Sequence, residues 1–205
     1  MSPIDTEIFA YRPKDAEQRR KILSLRPYAS KVYANDLSVA AVLELSTEPW
    51  FSELEFTFIG DGPLFEETTR PLLDLPNVRV SRGYLDHVAI AALYKEHGVT
   101  LIPTRSDTHG VSRDEAMASG LVPVTSAVAA VPEFVSESEG YLVPPEDHTG
   151  LARALKELYE RPDLFRDKSA AAARRVRDQA AASRVIPAEV ALIGGDRPVS
   201  DGGPA

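Results

Sequence analysis

Two carboxylates eight positions apart, Asp107 and Glu115, bracket the run Thr108-His109-Gly110-Val111-Ser112. An apolar strand-like stretch, 99–102, leads into this run, and a helical pattern begins at Val111. A helix that starts here points unpaired N–H groups and a partial positive charge at its N-terminus, which suits a phosphate. The two acids can accept hydrogen bonds from hydroxyls. Phosphate and polyol recognition side by side suit a nucleotide sugar. Taken singly, Glu115 reads equally as a solvated helix residue and Asp107 as a capping side chain. His109 sits where a general base, a stacking contact or a sugar contact would each fit.

The elements that must position these residues follow from the alternation of the chain. Short apolar runs at 22–25, 56–59, 78–80, 99–102, 121–125 and 141–143 are separated by helical patterns at 35–46, 64–73, 86–97, 111–119 and 147–161. A further alanine- and arginine-rich helix is expected from Asp163 to about Ser183. Strands alternating with helices in this way predict an α/β domain, a doubly wound parallel sheet of about six strands with helices on both faces. Residues 1–20 read as a lead-in, with a short charged helix at 15–20, 21–185 as the domain, and 186–205 as a disordered tail.

In such a sheet, ligands bind beyond the carboxyl ends of the strands, so the loops there hold the remaining candidates. After the first strand come Arg26 and Lys31, either a diphosphate clamp or part of a solvated loop. After the second, Gly60-Asp61-Gly62-Pro63 is a tight turn in which glycine allows close approach of a ligand or of another backbone. After the third, Gly83-Tyr84-Leu85-Asp86 offers backbone groups to a nucleobase edge, with Asp86 better read as a helix N-cap. After the fifth, Glu133 is better read as satisfying a short helix that begins with Pro132 than as a chemical group.

Composition excludes several classes. The 205 residues carry a formal net charge of -8, which argues against a general binder of nucleic acids or anionic membranes, so any phosphate site must be local. There is no cysteine, the four histidines lack ligand spacing and no Asp-x-Asp occurs, so no metal site is expected. The Gly-x-Gly-x-x-Gly and P-loop spacings are missing, as is Gly-x-Ser-x-Gly, which lowers the case for hydride transfer, P-loop phosphoryl transfer and a serine nucleophile. The start lacks the features of a signal peptide and no run approaches the length of a membrane span, so a cytoplasmic protein is expected.

Together these residues resemble the C-terminal, donor-binding domain of the retaining family 4 glycosyltransferases of GT-B architecture. The resemblance rests on Ile59-Gly60-Asp61-Gly62-Pro63, Gly83, the pair Asp107 and Glu115 at the position of a Glu-x7-Glu motif, the block 115–124, Val131-Pro132-Glu133, and Arg26 with Lys31. It implies that Arg26 and Lys31 bind the donor pyrophosphate and that Thr108 to Ser112 cover the sugar and β-phosphate. Glu115 would hold the ribose, Asp107 would meet the donor sugar at the reacting centre, and Leu85 would contact the base through its backbone. It implies no metal or other cofactor. It also implies an acceptor-binding domain elsewhere in a longer protein or on a partner chain, and any peripheral membrane association would come through that domain. The expected role is therefore sugar transfer in glycan biosynthesis, with a non-catalytic nucleotide-sugar-binding or assembly module as the alternative. The chain departs from the family pattern in Asp107 for Glu, His109 for Phe, Ala129-Ala130 for a Gly-Gly pair, and the contexts Leu25-Arg26-Pro27 and Lys31-Val32.

Overall fold

The computed structural model describes residues 4–107 and 110–180. Thr108 and His109, the expected helical residues beyond 180 and the expected tail lie outside the described residues. Six parallel strands, β1 (Lys21–Leu25), β2 (Glu55–Gly60), β3 (Val78–Arg82), β4 (Val99–Leu101), β5 (Val122–Ser126) and β6 (Tyr141–Val143), pair in the order β3-β2-β1-β4-β5-β6. This is the doubly wound order expected from the sequence. The strands connect through α1 (Asn35–Leu45), α2 (Phe65–Thr69), α3 (His87–Glu96), α4 (Val111–Ala118) and α5 (Val131–Phe134), and α6 (His148–Glu160) and α7 (Pro162–Ala180) follow.

Alternation along each strand divides the interior into two cores. Ile22, Phe56, Phe58, Val99 and Val124 face α1 and α6, packing with Leu45, Leu151 and Leu155. Leu23 and Ile59 face the other way, into a core with Ala91, Met117, Ala172 and Val176 from α3, α4 and α7. Every residue of β4 and β5 is buried because both faces are covered, which is why they read as continuous apolar runs. At the sheet edge, β3 buries none of its residues fully.

Local chemistry accounts for the ends of the helices. Asp86 caps α3 by accepting from Ala89 N–H at 2.8 Å, as its sequence context indicated, and Asp147 caps α6 through Gly150 N–H at 2.8 Å. The helix expected at 64–73 is broken: α2 ends at Thr69 and a 3-10 turn, Arg70–Leu72, follows. Pro71 lies in that turn and has no N–H to continue the α-helical ladder. The lead-in is packed, with Ile4 and Phe9 buried in the second core. Its 3-10 helix Ala16–Arg20 begins with a capping box of Asp15 and Gln18, and Lys14 Nζ donates to the Tyr94 carbonyl. Burial lowers the Lys14 pKa to about 8. Among the described residues no helix is long and apolar enough to cross a membrane.

The Gly60-Asp61-Gly62 turn is a packing device for the loop after β1. Tyr28 N–H donates to the Asp61 carbonyl at 2.8 Å and Leu64 N–H to the Tyr28 carbonyl at 3.1 Å, so the two loops lie backbone to backbone. A Cβ at Gly60 would overlap the Arg26 carbonyl and stand 2.9 Å from the Tyr28 ring. Tyr28 is fully buried, and the loop has no room to retreat. Gly60→Ala is therefore expected to lower the unfolding free energy by about 2 kcal/mol, the usual scale for overpacking, as a drop in urea midpoint with an unchanged slope.

Candidate functional site

β1 and β4 are neighbours in the sheet, while their following helices pack on opposite faces, so their loops diverge around a crevice at the carboxyl edge. Hydrogen bonds knit the loops together at its base. Arg105 N–H donates to the Val32 carbonyl at 2.9 Å, Thr104 Oγ1 to the same carbonyl at 3.3 Å, and Arg26 Nη2 to the Pro103 carbonyl at 3.1 Å. The crevice holds a cavity of about 420 Å³, lined by Arg26, Tyr33, Asp107, Gly110, Ser112 and Arg113 among others.

Arg26 is the cation at the floor of this cavity. It is only 9% exposed, its guanidinium stands 5.2 Å over the Tyr33 ring, and its Nε has no hydrogen-bond partner among the described residues. Burial lowers its pKa to about 10, opposed by the Asp107 charge. It therefore remains charged at neutral pH. Asp107 lines the same cavity, with Oδ2 3.7 Å from Arg113 Nη1. Gly110 is the N-cap of α4, where a Cβ would stand 2.7 Å from Asp107 Oδ2 and 2.8 Å from Arg113 Nη1. Val111 and Ser112 form the exposed first turn of α4.

Glu115 stands one turn further on, against α3 instead of the cavity. Burial raises its pKa, the His87 charge lowers it and Asp114 raises it. The wall behind it is aromatic: Phe9 packs edge-on to His87 with ring centroids 5.8 Å apart, and buried Tyr94 donates its hydroxyl to the Ser112 carbonyl at 3.3 Å. Asp107 and Glu115 thus face different compartments. Leu85 lines a third, mostly apolar groove of about 450 Å³ between β3 and α3, with Gly83, Tyr84, Arg82 and Leu93. Tyr84 is 78% exposed at its mouth. Arg82 is turned away by Asp61, whose Oδ1 accepts from Arg82 Nε at 2.7 Å.

Other expected residues sit elsewhere. The Lys31 side chain is exposed and borders a separate groove of about 340 Å³ between α1 and α2, so Arg26 and Lys31 do not share one cavity. Gly60 lines none of these three pockets; it lies behind the Arg26 backbone. Ala129, which stands with Ala130 where the family pattern has a Gly-Gly pair, takes a left-handed φ of 47°, a conformation glycine would adopt with less strain. Among the described residues no group of three or more His, Asp or Glu side chains could hold a metal ion.

Two arginines escaped the sequence reading. Arg113 and Asp114 occupy the buried side of α4, three to four residues before Ala116, Met117 and Ala118, a helical spacing that marks the core face. Arg105 joins three loops: it forks onto Asp36 at 2.8 and 2.9 Å and onto Glu146 at 2.7 and 2.8 Å, and Nη1 reaches the Lys31 carbonyl at 2.6 Å. Hydrogen bonds from Arg105 hold the Asp36 and Glu146 carboxyls below their ordinary pKa. No spacing rule connects positions 36, 105 and 146.

A family model described as glycosyl transferases group 1 matches residues 20–161. The chain is 28% identical over 162 residues to a sulfoquinovosyl transferase of Arabidopsis thaliana, covering 76% of this chain and 31% of that protein. It is 30% identical over 95 residues to a glycogen synthase of Mycobacterium tuberculosis, covering 46% of this chain and 23% of that one. It thus spans less than a third of either curated relative. Among solved structures, HepE of Anabaena in complex with UDP and glucose superposes with a TM-score of 0.77 at 14% identity, over 94% of this chain and 55% of that one. The C-terminal domain of a group 1 glycosyl transferase from Francisella tularensis gives 0.72 at 18% identity, over 87% of this chain and 98% of that one. These likenesses are of fold, the Rossmann-like half of GT-B glycosyltransferases.

The Arg105 network is exposed enough for salt to screen it. Arg105→Ala is expected to cost about 1 kcal/mol at low ionic strength and clearly less near ~1 M salt, measured as urea midpoints in the two buffers.

Proposed function

We propose that this chain, which belongs to the glycosyl transferases group 1 family, is the donor-binding half of a retaining glycosyltransferase that takes a sugar from a nucleoside diphosphate. The observation that carries this reading is Arg26, a charged, nearly buried guanidinium on the floor of a cavity at the switch between β1 and β4. Holding a cation out of water is costly, and a phosphate oxygen on the guanidinium would offset that cost with a charge-assisted hydrogen bond. The nucleoside then extends towards α3, with its ribose at Glu115 and its base in the groove at Leu85. The sugar lies beside Asp107, under the first turn of α4. Lys31 is the one expected phosphate ligand that would have to swing towards the cavity to take part.

In the proposed reaction, the bond from the anomeric carbon to the β-phosphoryl oxygen breaks and its electron pair leaves with the diphosphate. Arg26 and the α4 N-terminus stabilise that charge. An acceptor hydroxyl, held by a separate domain or a partner chain, bonds to the same face of the anomeric carbon and passes its proton to the departing phosphoryl oxygen. Asp107 contributes electrostatic stabilisation near the developing positive charge. These chain residues act on the donor without a metal, and the reaction belongs to a cytoplasmic enzyme of glycan biosynthesis.

Binding of nucleoside diphosphates and their glucose conjugates, followed by thermal unfolding, tests the reading. A ligand at about 100 times its Kd should add about 2.7 kcal/mol and raise the melting temperature by several degrees. Arg26→Gln should remove most of that shift, and a folded wild-type chain that responds to none of these ligands would sink the proposal.

The raised pKa of Glu115 gives a second test. Ribose hydroxyls donate to the ionised carboxylate, so bound donor favours the charged form and lowers that pKa. Affinity for a nucleotide sugar should therefore be full above the raised Glu115 pKa and fall as the pH drops through it. Glu115→Gln should bind more weakly at neutral pH with a flatter profile; a wild-type profile in that variant would place the ribose elsewhere.

A further inference from the structure

The donor reading uses Arg26 and leaves a second buried guanidinium in the same cavity without a task. Arg113 is only 2% exposed. Its Nε donates to Asp114 Oδ1 at 3.0 Å, while Nη2 lies 2.9 Å from that oxygen without forming an aligned hydrogen bond. One face of the guanidinium rests 4.9 Å from the Phe134 ring centroid. Its Nη1 side is turned to the cavity, 3.7 Å from Asp107 Oδ2 and beside Gly110. Asp114 and Phe134 therefore hold the side chain from behind, and the planar fork is presented forward.

Arg26 and Arg113 line one cavity and repel each other; the Arg113 charge adds to the burial that lowers the Arg26 pKa. Both guanidiniums are nearly fully buried, Arg26 at 9% and Arg113 at 2% exposure. Two desolvated cations side by side are costly, and an oxyanion between them, reached by the cavity side of each guanidinium, would offset the repulsion.

We infer that Arg113 is a second oxyanion-contacting residue of the donor pocket, acting with Arg26 on donors that present two oxyanionic groups. The inference rests on the donor-binding reading. The second oxyanion has two possible sources: the other phosphoryl group of the diphosphate, or an acidic substituent on the transferred sugar.

Titration calorimetry on the full chain separates them. The probes are UDP, ADP and GDP, then the monophosphate, the glucose conjugate and the glucuronate conjugate of the nucleotide that binds best. Arg113→Met/Asp114→Leu replaces the buried pair with apolar side chains, an exchange that commonly preserves folding. Arg113→Lys keeps the charge and loses the planar fork. If the second phosphoryl is the target, the double variant should melt like wild type and lose about tenfold affinity for the diphosphate, with the monophosphate unaffected. If the sugar acid is the target, that loss should fall on the glucuronate conjugate alone. In either case Arg113→Lys should recover part of the affinity. Unchanged affinity of the folded double variant for the best diphosphate, its monophosphate and both conjugates would overturn the inference while leaving the donor reading intact. Should the double variant not fold, unchanged affinities in Arg113→Lys would overturn it instead. A wild-type chain that binds no probe would remove the donor reading and this inference together.

Discussion

The adjacency of β1 and β4 is the constraint on which the rest of the site depends. These strands are far apart in the chain but pair directly, at Ile22 with Val99 and Leu23 with Thr100. Their loops must turn away from each other to reach helices on opposite faces, which opens a crevice that no side chain has to carve. Bonds from Arg26, Thr104 and Arg105 then fix the distance between the loops. The same bonds that shape the cavity satisfy loop carbonyls that burial would otherwise leave unpaired.

Around that crevice the protein sets buried cations and carboxylates side by side. A chain with a net charge of -8 places two guanidiniums in one small cavity and sets Asp107 between them. The acidic exterior does not attract polyanions in general, so the proposed anion recognition is confined to a place where desolvation strengthens each contact. Arg105 uses the same side chain to join loops. Near the surface, with carboxylates on both sides, it is fully employed as a clamp.

The N-terminal segment contributes to the wall behind Glu115. Phe9 packs on His87 and Tyr94, and Tyr94 reaches the first turn of α4 through the Ser112 carbonyl. A segment that reads as a lead-in thereby packs against His87 and Tyr94, the α3 side chains whose electrostatics couple to Glu115. Its two anchors, Ile4 and Phe9, are five positions apart, a spacing that marks neither a strand face nor a helix face.

The six strands, the helix of each crossover and the candidate loops were legible in the sequence because they rest on local patterns: strand runs, helical spacing and capping residues such as Asp86 and Asp147. Arg113 was legible in principle, since its spacing from Ala116 and Met117 marks a charge on a buried face. The Gly60 turn was legible as a close approach, but not as an approach to Arg26 and Tyr28. Only the tertiary structure decided that Asp107 and Glu115 face different compartments, that Lys31 stands apart from Arg26, and that positions 36, 105 and 146 form one clamp. Periodicity records which face of its own element a residue occupies. Which partners that face meets is set by strand order and loop closure, through hydrogen bonds between segments far apart in the chain, and these leave no spacing to read.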